Sequence, residues 1–248
     1  MPVSPLRRLF IFDLDGTLVD SLPDIALHLR AALVAHGLPA PSNAQIRRWV
    51  GSGARELIVR AVTELQRDAR LSTASSASNP LDTAVITSIF AAFMAAYRNA
   101  PVVQTELYPG MAQQLDQFVR DPDNVFAVLS NKPHDLAVTI TNQLLSRWPF
   151  AAVYGQRDGI AKKPDPAAAL QIAIECGVAP TASIFIGDSE VDIETGRAAQ
   201  MRTVGVTWGI GDPAKLRASR PDVVVEQIAE LVKSATMLSR LPSPGLFS

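Results

Sequence analysis

Apolar residues fall into two textures along this chain. Leu9, Phe10, Ile11 and Phe12 form a continuous apolar run that halts at Asp13. A short unbroken run of this kind fits a strand buried on both faces. From residue 23 to about residue 105 the period changes. Ile25, Leu29, Ala32 and Leu33 recur at helical spacing and stop at His36-Gly37, a C-terminal stop signal. Leu57, Ile58, Ala61, Val62 and Leu65 repeat that spacing, as do Val85, Ile86, Ile89, Phe90, Phe93 and Met94. Between these two runs lies Ser72–Pro80, rich in Ser and Ala, which reads as a loop. The block is all-helical.

From Leu107 onward short apolar runs alternate with helical ones. Strands are expected at Val125–Leu129, Ala152–Tyr154, Ser183–Ile186, Thr203–Val206 and Val223–Val225. Helices are expected near 110–120, 134–146, 166–176, 190–199 and 227–236. Strands separated by helices of this length form right-handed βαβ units and a parallel sheet covered on both faces. The predicted class is α/β. Residues 1–20 and 106–240 form the sheet domain, residues 21–105 an inserted helical domain, and 241–248, with two prolines, a frayed tail.

Composition narrows the partners. With 248 residues and 48% hydrophobic, the chain has enough apolar surface for a core, which excludes wholesale disorder. Lys+Arg 23 against Asp+Glu 24 leaves a net charge of −1 and no basic face for a nucleic acid. The single Cys176 excludes an intramolecular disulfide framework and a multi-cysteine metal site. Arg7 and Arg8 before an apolar stretch resemble a targeting segment, but Asp13 and Asp15 interrupt it. No run approaches the roughly 18 apolar residues of a membrane helix. The expectation is a cytoplasmic monomer or homodimer with neither a membrane nor a nucleic acid as partner.

Candidate chemistry sits at strand ends, where ligands of open α/β sheets bind. Asp13 and Asp15 follow the first strand directly, with Gly16 and Thr17 behind them. Two close, partly buried anions need either a divalent cation or a retained proton. Ser130-Asn131 ends the next strand and suits either a phosphate oxygen or a helix cap. Lys163 stands in Lys163-Pro164-Asp165-Pro166 before a helical run, as a placed cation or a plain surface lysine. Gly187-Asp188-Ser189 repeats the strand-then-acid pattern. Asp192, four residues on, is either a helix-cap acid or a second site acid. Three of the five lysines are Lys132, Lys162 and Lys163. Together these parts make a magnesium and phosphate site, with hard oxygens for the cation and donors for the anion.

Asp13-x-Asp15-Gly-Thr17, Ser130, Lys163 and Gly187-Asp188-Ser189-x-x-Asp192 resemble, in order, the four motifs of the haloacid dehalogenase superfamily. The resemblance runs from about residue 9 to about 233. Val204-Gly-Val-Thr-Trp208-Gly resembles its phosphoglycolate phosphatase branch. It implies a Rossmann-like core with an all-helical cap, inserted within the 130 − 15 = 115 residues between Asp15 and Ser130. It also implies a phosphatase acting on a small phosphorylated metabolite, phosphoglycolate foremost. Asp13 is then the nucleophile that becomes an aspartyl-phosphate, and Asp15 the acid and base, oriented by Thr17. Mg²⁺ is implied on Asp13, the Asp15 carbonyl and Asp188, with Asp192 nearby. Ser130, the Asn131 amide and Lys163 would hold the phosphoryl group.

Departures and absences refine the branch. Asp15 is an acid, which the dehalogenase branch lacks there. No lysine precedes residue 132, so the Schiff-base lysine of the phosphonate-cleaving branch is missing and a sugar phosphomutase is disfavoured. The alternative is a sugar phosphomutase or a pyrophosphatase on the same scaffold, or a non-catalytic phosphate-binding regulatory module. Gln200 stands where relatives carry a helix-closing glycine, and Thr195-Gly196 replaces a more helix-friendly pair. In the insertion, Gly51 and Arg55 belong to Trp49-Val-Gly-Ser-Gly-Ala-Arg55, which resembles the cap loop that reaches the active site. Arg55 suits a substrate carboxylate.

Overall fold

A computed structural model describes residues 7–73 and 83–240, without side-chain detail for 69–73. Strand β1 (Arg8–Phe12) leads into β2 (Val19–Asp20). Four helices follow: α1 (Leu22–Ala35), α2 (Asn43–Trp49), α3 (Ala54–Thr73) and α4 (Thr83–Asn99). The chain continues through β3 (Glu106–Leu107), α5 (Met111–Phe118), β4 (Asn124–Pro133), α6 (His134–Leu144) and β5 (Phe150–Gln156). It ends with α7 (Ala167–Cys176), β6 (Ser183–Gly187), α8 (Glu190–Ala198) and β7 (Arg202–Val206), then α9 (Pro213–Ala218), β8 (Val223–Val225) and α10 (Leu231–Ser239).

Six strands form one parallel sheet in the order β5-β4-β1-β6-β7-β8. Counted among themselves, this is the order 3-2-1-4-5-6 of doubly wound sheets, which reverses at β1. The crevice beyond the carboxyl end of β1 is therefore where a ligand site is built. Alternation along β1 explains its burial. Leu9 and Ile11 pack with Val125, Ala127 and Phe185 against Ala169, Ile172 and Cys176 of α7. On the other face, the rings of Phe10 and Phe12 lie 4.9 and 5.8 Å from that of Phe118 in α5. Phe126 and Phe150 complete this aromatic layer.

The chain divides into two compact units, the stretch to Asp20 with that from Glu106 onward, and Ser21–Thr105. Within the second unit α1 and α3 both pack on α4. Its ends are tied by Asp24 in the first turn of α1, whose carboxylate accepts from the amides of Val103, Gln104 and Thr105 and from the Thr105 hydroxyl. Burial pushes the Asp24 carboxyl up, but those donors more than offset it and hold the group below its ordinary value.

Several elements differ from the sequence-based expectation. α3 runs through Thr73, two residues into the expected Ser72–Pro80 loop, and residues 74–80 lie outside the described residues. The expected tail at 241–248 lies outside them too. The helix expected at 227–236 begins only at Leu231, after a 3-10 turn at Ile228–Glu230. The antiparallel ribbon of β2 and β3 was not expected, because two residues per strand carry no readable period. Helix α2 opens on a capping box between Ser42 and Gln45.

Candidate active site

The turn after β1 sets the first two acids. The Leu14 carbonyl accepts from the amides of Thr17, Leu18 and Val19, and Gly16 takes φ 91°. A Cβ at Gly16 would stand 2.3 Å from Asp188 Oδ2, so glycine is required by space as well as by angle. Asp13 stays in the ladder through its amide to the Ile186 carbonyl, and its Oδ1 accepts from the Leu14 amide at 2.7 Å. Asp15 faces β4, where the Lys132 ammonium donates to both its oxygens, at 3.0 and 3.2 Å.

The second pair comes from β6 and α8. Asp188 follows β6 and is gripped on three sides. Its Oδ2 accepts from the Ile210 and Gly211 amides at 2.8 and 2.9 Å, and its Oδ1 from Thr17 Oγ1 at 3.3 Å. Asp192 lies in the first turn of α8, and its Oδ2 accepts from the amide and hydroxyl of Ser189 at 3.0 and 2.6 Å. Its Oδ1 accepts from Lys163 Nζ at 2.6 Å. Asp192 is thus helix cap and site acid at once. Lys163 also meets Asp13 Oδ1 at 2.9 Å. Its backbone is clamped by Asn131, whose side chain accepts from the Lys163 amide and donates to the Lys163 carbonyl. Ser130, at the end of β4, is buried and accepts from the Lys132 amide.

Carboxylate oxygens of Asp13, Asp188 and Asp192 all lie within 4.8 Å of one another. Burial pushes Asp13 up to about 8; Lys163 works against this, while Asp192, Asp188 and Asp15 add to it. Burial likewise raises Asp188 to about 6, helped by Asp192 and opposed by the Gly211 amide. Burial favours the neutral form of Lys163, but Asp13 and Asp192 outweigh it and hold the ammonium charged. With all four acids ionised, as a bound cation would keep them, two lysines leave a formal charge of −4 + 2 = −2. One divalent cation on this hard-oxygen cluster would cancel it, so the residues fit a magnesium-type ion.

Asp13, Asp15, Thr17, Ser130, Asn131, Lys163, Asp188 and Asp192 therefore belong to one unit, around the ends of β1, β4 and β6. The polar partners of Thr17 and Asp15 are distinct. Thr17 bonds Asp188, and it is Lys132 that grips Asp15. Gly51 and Arg55 belong to the other unit. Gly51 takes φ 114° between α2 and α3, and the Arg55 guanidinium lies 6.0 Å over the Phe90 ring. Lys132, Ser189 and the Ile210–Gly211 amides were not singled out by sequence reasoning. The lysine left a trace there as one of a cluster of three, and Ser189 only as a position in the Gly187-Asp188-Ser189 motif, without a role.

The model of haloacid dehalogenase-like hydrolases matches residues 10–206. The chain belongs to this family. Among its relatives, the phosphoglycolate phosphatase of Pseudomonas putida is 33% identical over 227 residues, spanning 92% of this chain and 79% of that protein. The phosphoglycolate phosphatase of Escherichia coli K12 is 30% identical over 226 residues, 89% of each chain. A crystal structure described as a predicted phosphoglycolate phosphatase from Haemophilus somnus superposes with TM-score 0.83 at 28% identity. It covers 94% of this chain and 100% of that one. The family's parallel core and this chain's hydrolase class are thereby established. Among the described residues no helix is long and apolar enough to cross a membrane.

Proposed function

We propose that the protein hydrolyses a small phosphate monoester through an aspartyl-phosphate on Asp13, with phosphoglycolate as the leading substrate. The observation that carries this reading is the cluster of four acids, three of them buried, against two buried lysines, with a formal charge of −2 when all four acids are ionised. Asp13 attacks phosphorus; the bond to the alcohol oxygen breaks, and Asp15 protonates that oxygen. Asp15 then takes a proton from the water that attacks the aspartyl-phosphate, releasing phosphate and restoring Asp13. Lys163, Ser130 and the Asn131 amide balance the charge of the phosphoryl group as it moves.

Asp13, Asp188 and the Asp15 carbonyl are the groups that would hold Mg²⁺, while Asp192 is committed to Lys163 and Ser189. When bound, the ion supplies the positive charge that keeps Asp13 and Asp188 ionised and neutralises phosphate oxygens. The activity named for both relatives supports phosphoglycolate, and Arg55 is the candidate for its carboxylate.

The test is phosphate release from phosphoglycolate, sugar phosphates, nucleotides and pyrophosphate, with magnesium and with chelator, for the wild type and Asp13→Asn. Magnesium-dependent release, fastest on phosphoglycolate and lost in the variant, is expected. Release from none of these esters would overturn the reading.

A further inference from the structure

Two lysines divide three of the four acids of the site between them, and Asp188 is held by Thr17 and backbone amides instead. Lys163 takes Asp13 and Asp192, at 2.9 and 2.6 Å. Lys132 takes Asp15, by both oxygens, with 3% of the lysine side chain and 13% of the aspartate side chain exposed. The pair spans 117 residues of sequence and ties the end of β4 to the turn after β1. Desolvating an ammonium this deeply is costly unless it is paired, and the contact with Asp15 supplies an opposite charge.

We propose that Lys132 is a positioning residue that acts through Asp15, fixing the plane of its carboxyl and leaving one edge for the departing alcohol. The proposal rests on the phosphatase reading above and adds to it the group that makes Asp15 a directed acid. An ammonium has three donors and no acceptor, so a proton carried by Asp15 cannot lie on the edge that faces Lys132. It is confined to the remaining lone pairs. As the phosphorus–oxygen bond breaks, both its electrons go to the alcohol oxygen, which takes that proton. The new carboxylate is already paired, so no side chain has to reorganise at that moment. In the second half the same edge accepts the proton of the attacking water.

A lysine that merely bound phosphate, or merely stabilised the fold, would not distinguish one leaving group from another. Lys132 acting through Asp15 must. The experiment compares Lys132→Met, Lys132→Arg, Asp15→Asn and the double variant Asp15→Asn/Lys132→Met. Each is assayed on an alkyl ester, phosphoglycolate, and on p-nitrophenyl phosphate, whose phenol leaves without a proton. kcat/KM is the quantity read, because it stops at alcohol release and omits hydrolysis of the aspartyl-phosphate.

Lys132→Met is expected to lose about 10²–10⁴-fold on phosphoglycolate, the usual worth of a general acid, and under about tenfold on the aryl ester. Lys132→Arg, which keeps charge and donors, should recover part of the loss. In the Asp15→Asn background, removing Lys132 should cost phosphoglycolate turnover under about threefold more, since the two act as one unit. Equal losses on both esters, or full additivity with Asp15→Asn, would overturn the role of Lys132 while leaving the phosphatase reading intact. A wild type inactive on both esters would overturn both. Should Lys132→Met not fold, the Lys132→Arg and Asp15→Asn comparison across the two esters decides the matter: an arginine variant with equal losses on both esters overturns the proposal.

Discussion

Gln200 closes α8 in the left-handed region, at φ 58°. Its amide reaches the Arg197 carbonyl, and the next amide, Met201, reaches the Gly196 carbonyl, the paired bonds of a Schellman stop. A side chain there is strained, so Gln200→Gly should add about 1 kcal/mol of stability, read as a higher urea midpoint at unchanged slope. Gly196 asks for the opposite. A Cβ there would stand 2.6 Å from Thr203 Cγ2 and 2.8 Å from Phe185 Cβ, so close packing of α8 on the sheet demands the glycine. Gly196→Ala should cost about 1–3 kcal/mol by overpacking, and an unchanged midpoint would refute this. Helix propensity counts Gly196 against α8, but propensity says nothing about what faces a position. Asp13 and Asp188 were legible, each being an acid that stops an apolar run. The partner of Asp15 was not, since no local pattern joins residues 117 apart.

At the scale of elements, the five core strand runs read from Val125 onward all became strands of the sheet, since buried runs bounded by turns leave few alternatives. Ribbon β2–β3 escaped, being stabilised by pairing across the insertion rather than by its own residues. The aromatic layer shows which helix anchors the sheet. Phe118 of α5 touches Phe10, Phe12 and Phe126, so Phe118→Ala should cost about 3–5 kcal/mol in chemical denaturation. In the helical unit the Asp24 clamp sets an acid limit. A carboxyl held below its ordinary value of 3.8 contributes stability above that value and loses it as pH falls through the folded pKa. Asp24→Asn should therefore lower the melting temperature at neutral pH and flatten its decline in acid. Parallel curves for the two proteins would contradict this.

Across the whole molecule, the site's surplus negative charge couples cation, proton and fold. Asp13 and Asp188 are pushed up to about 8 and about 6, so without a cation they favour the folded state fully only below their unfolded value of 3.8. That contribution is lost as pH rises through about 6 and then about 8. Magnesium should offset the loss, and its effect on the melting temperature should grow from about pH 5 to about pH 8. A magnesium effect independent of pH would contradict the charge balance. The strand order has a further consequence, for the newborn chain. β1 is central in the sheet, yet its neighbours begin at Asn124 and Ser183, so Leu9 waits 183 − 9 = 174 residues for its partner in β6. Leu-Phe-Ile-Phe leaves the ribosome well before either neighbour and is paired on both edges only once Ser183 has followed. Such distant pairing makes for slow folding and a sticky nascent segment, one that a chaperone has reason to hold.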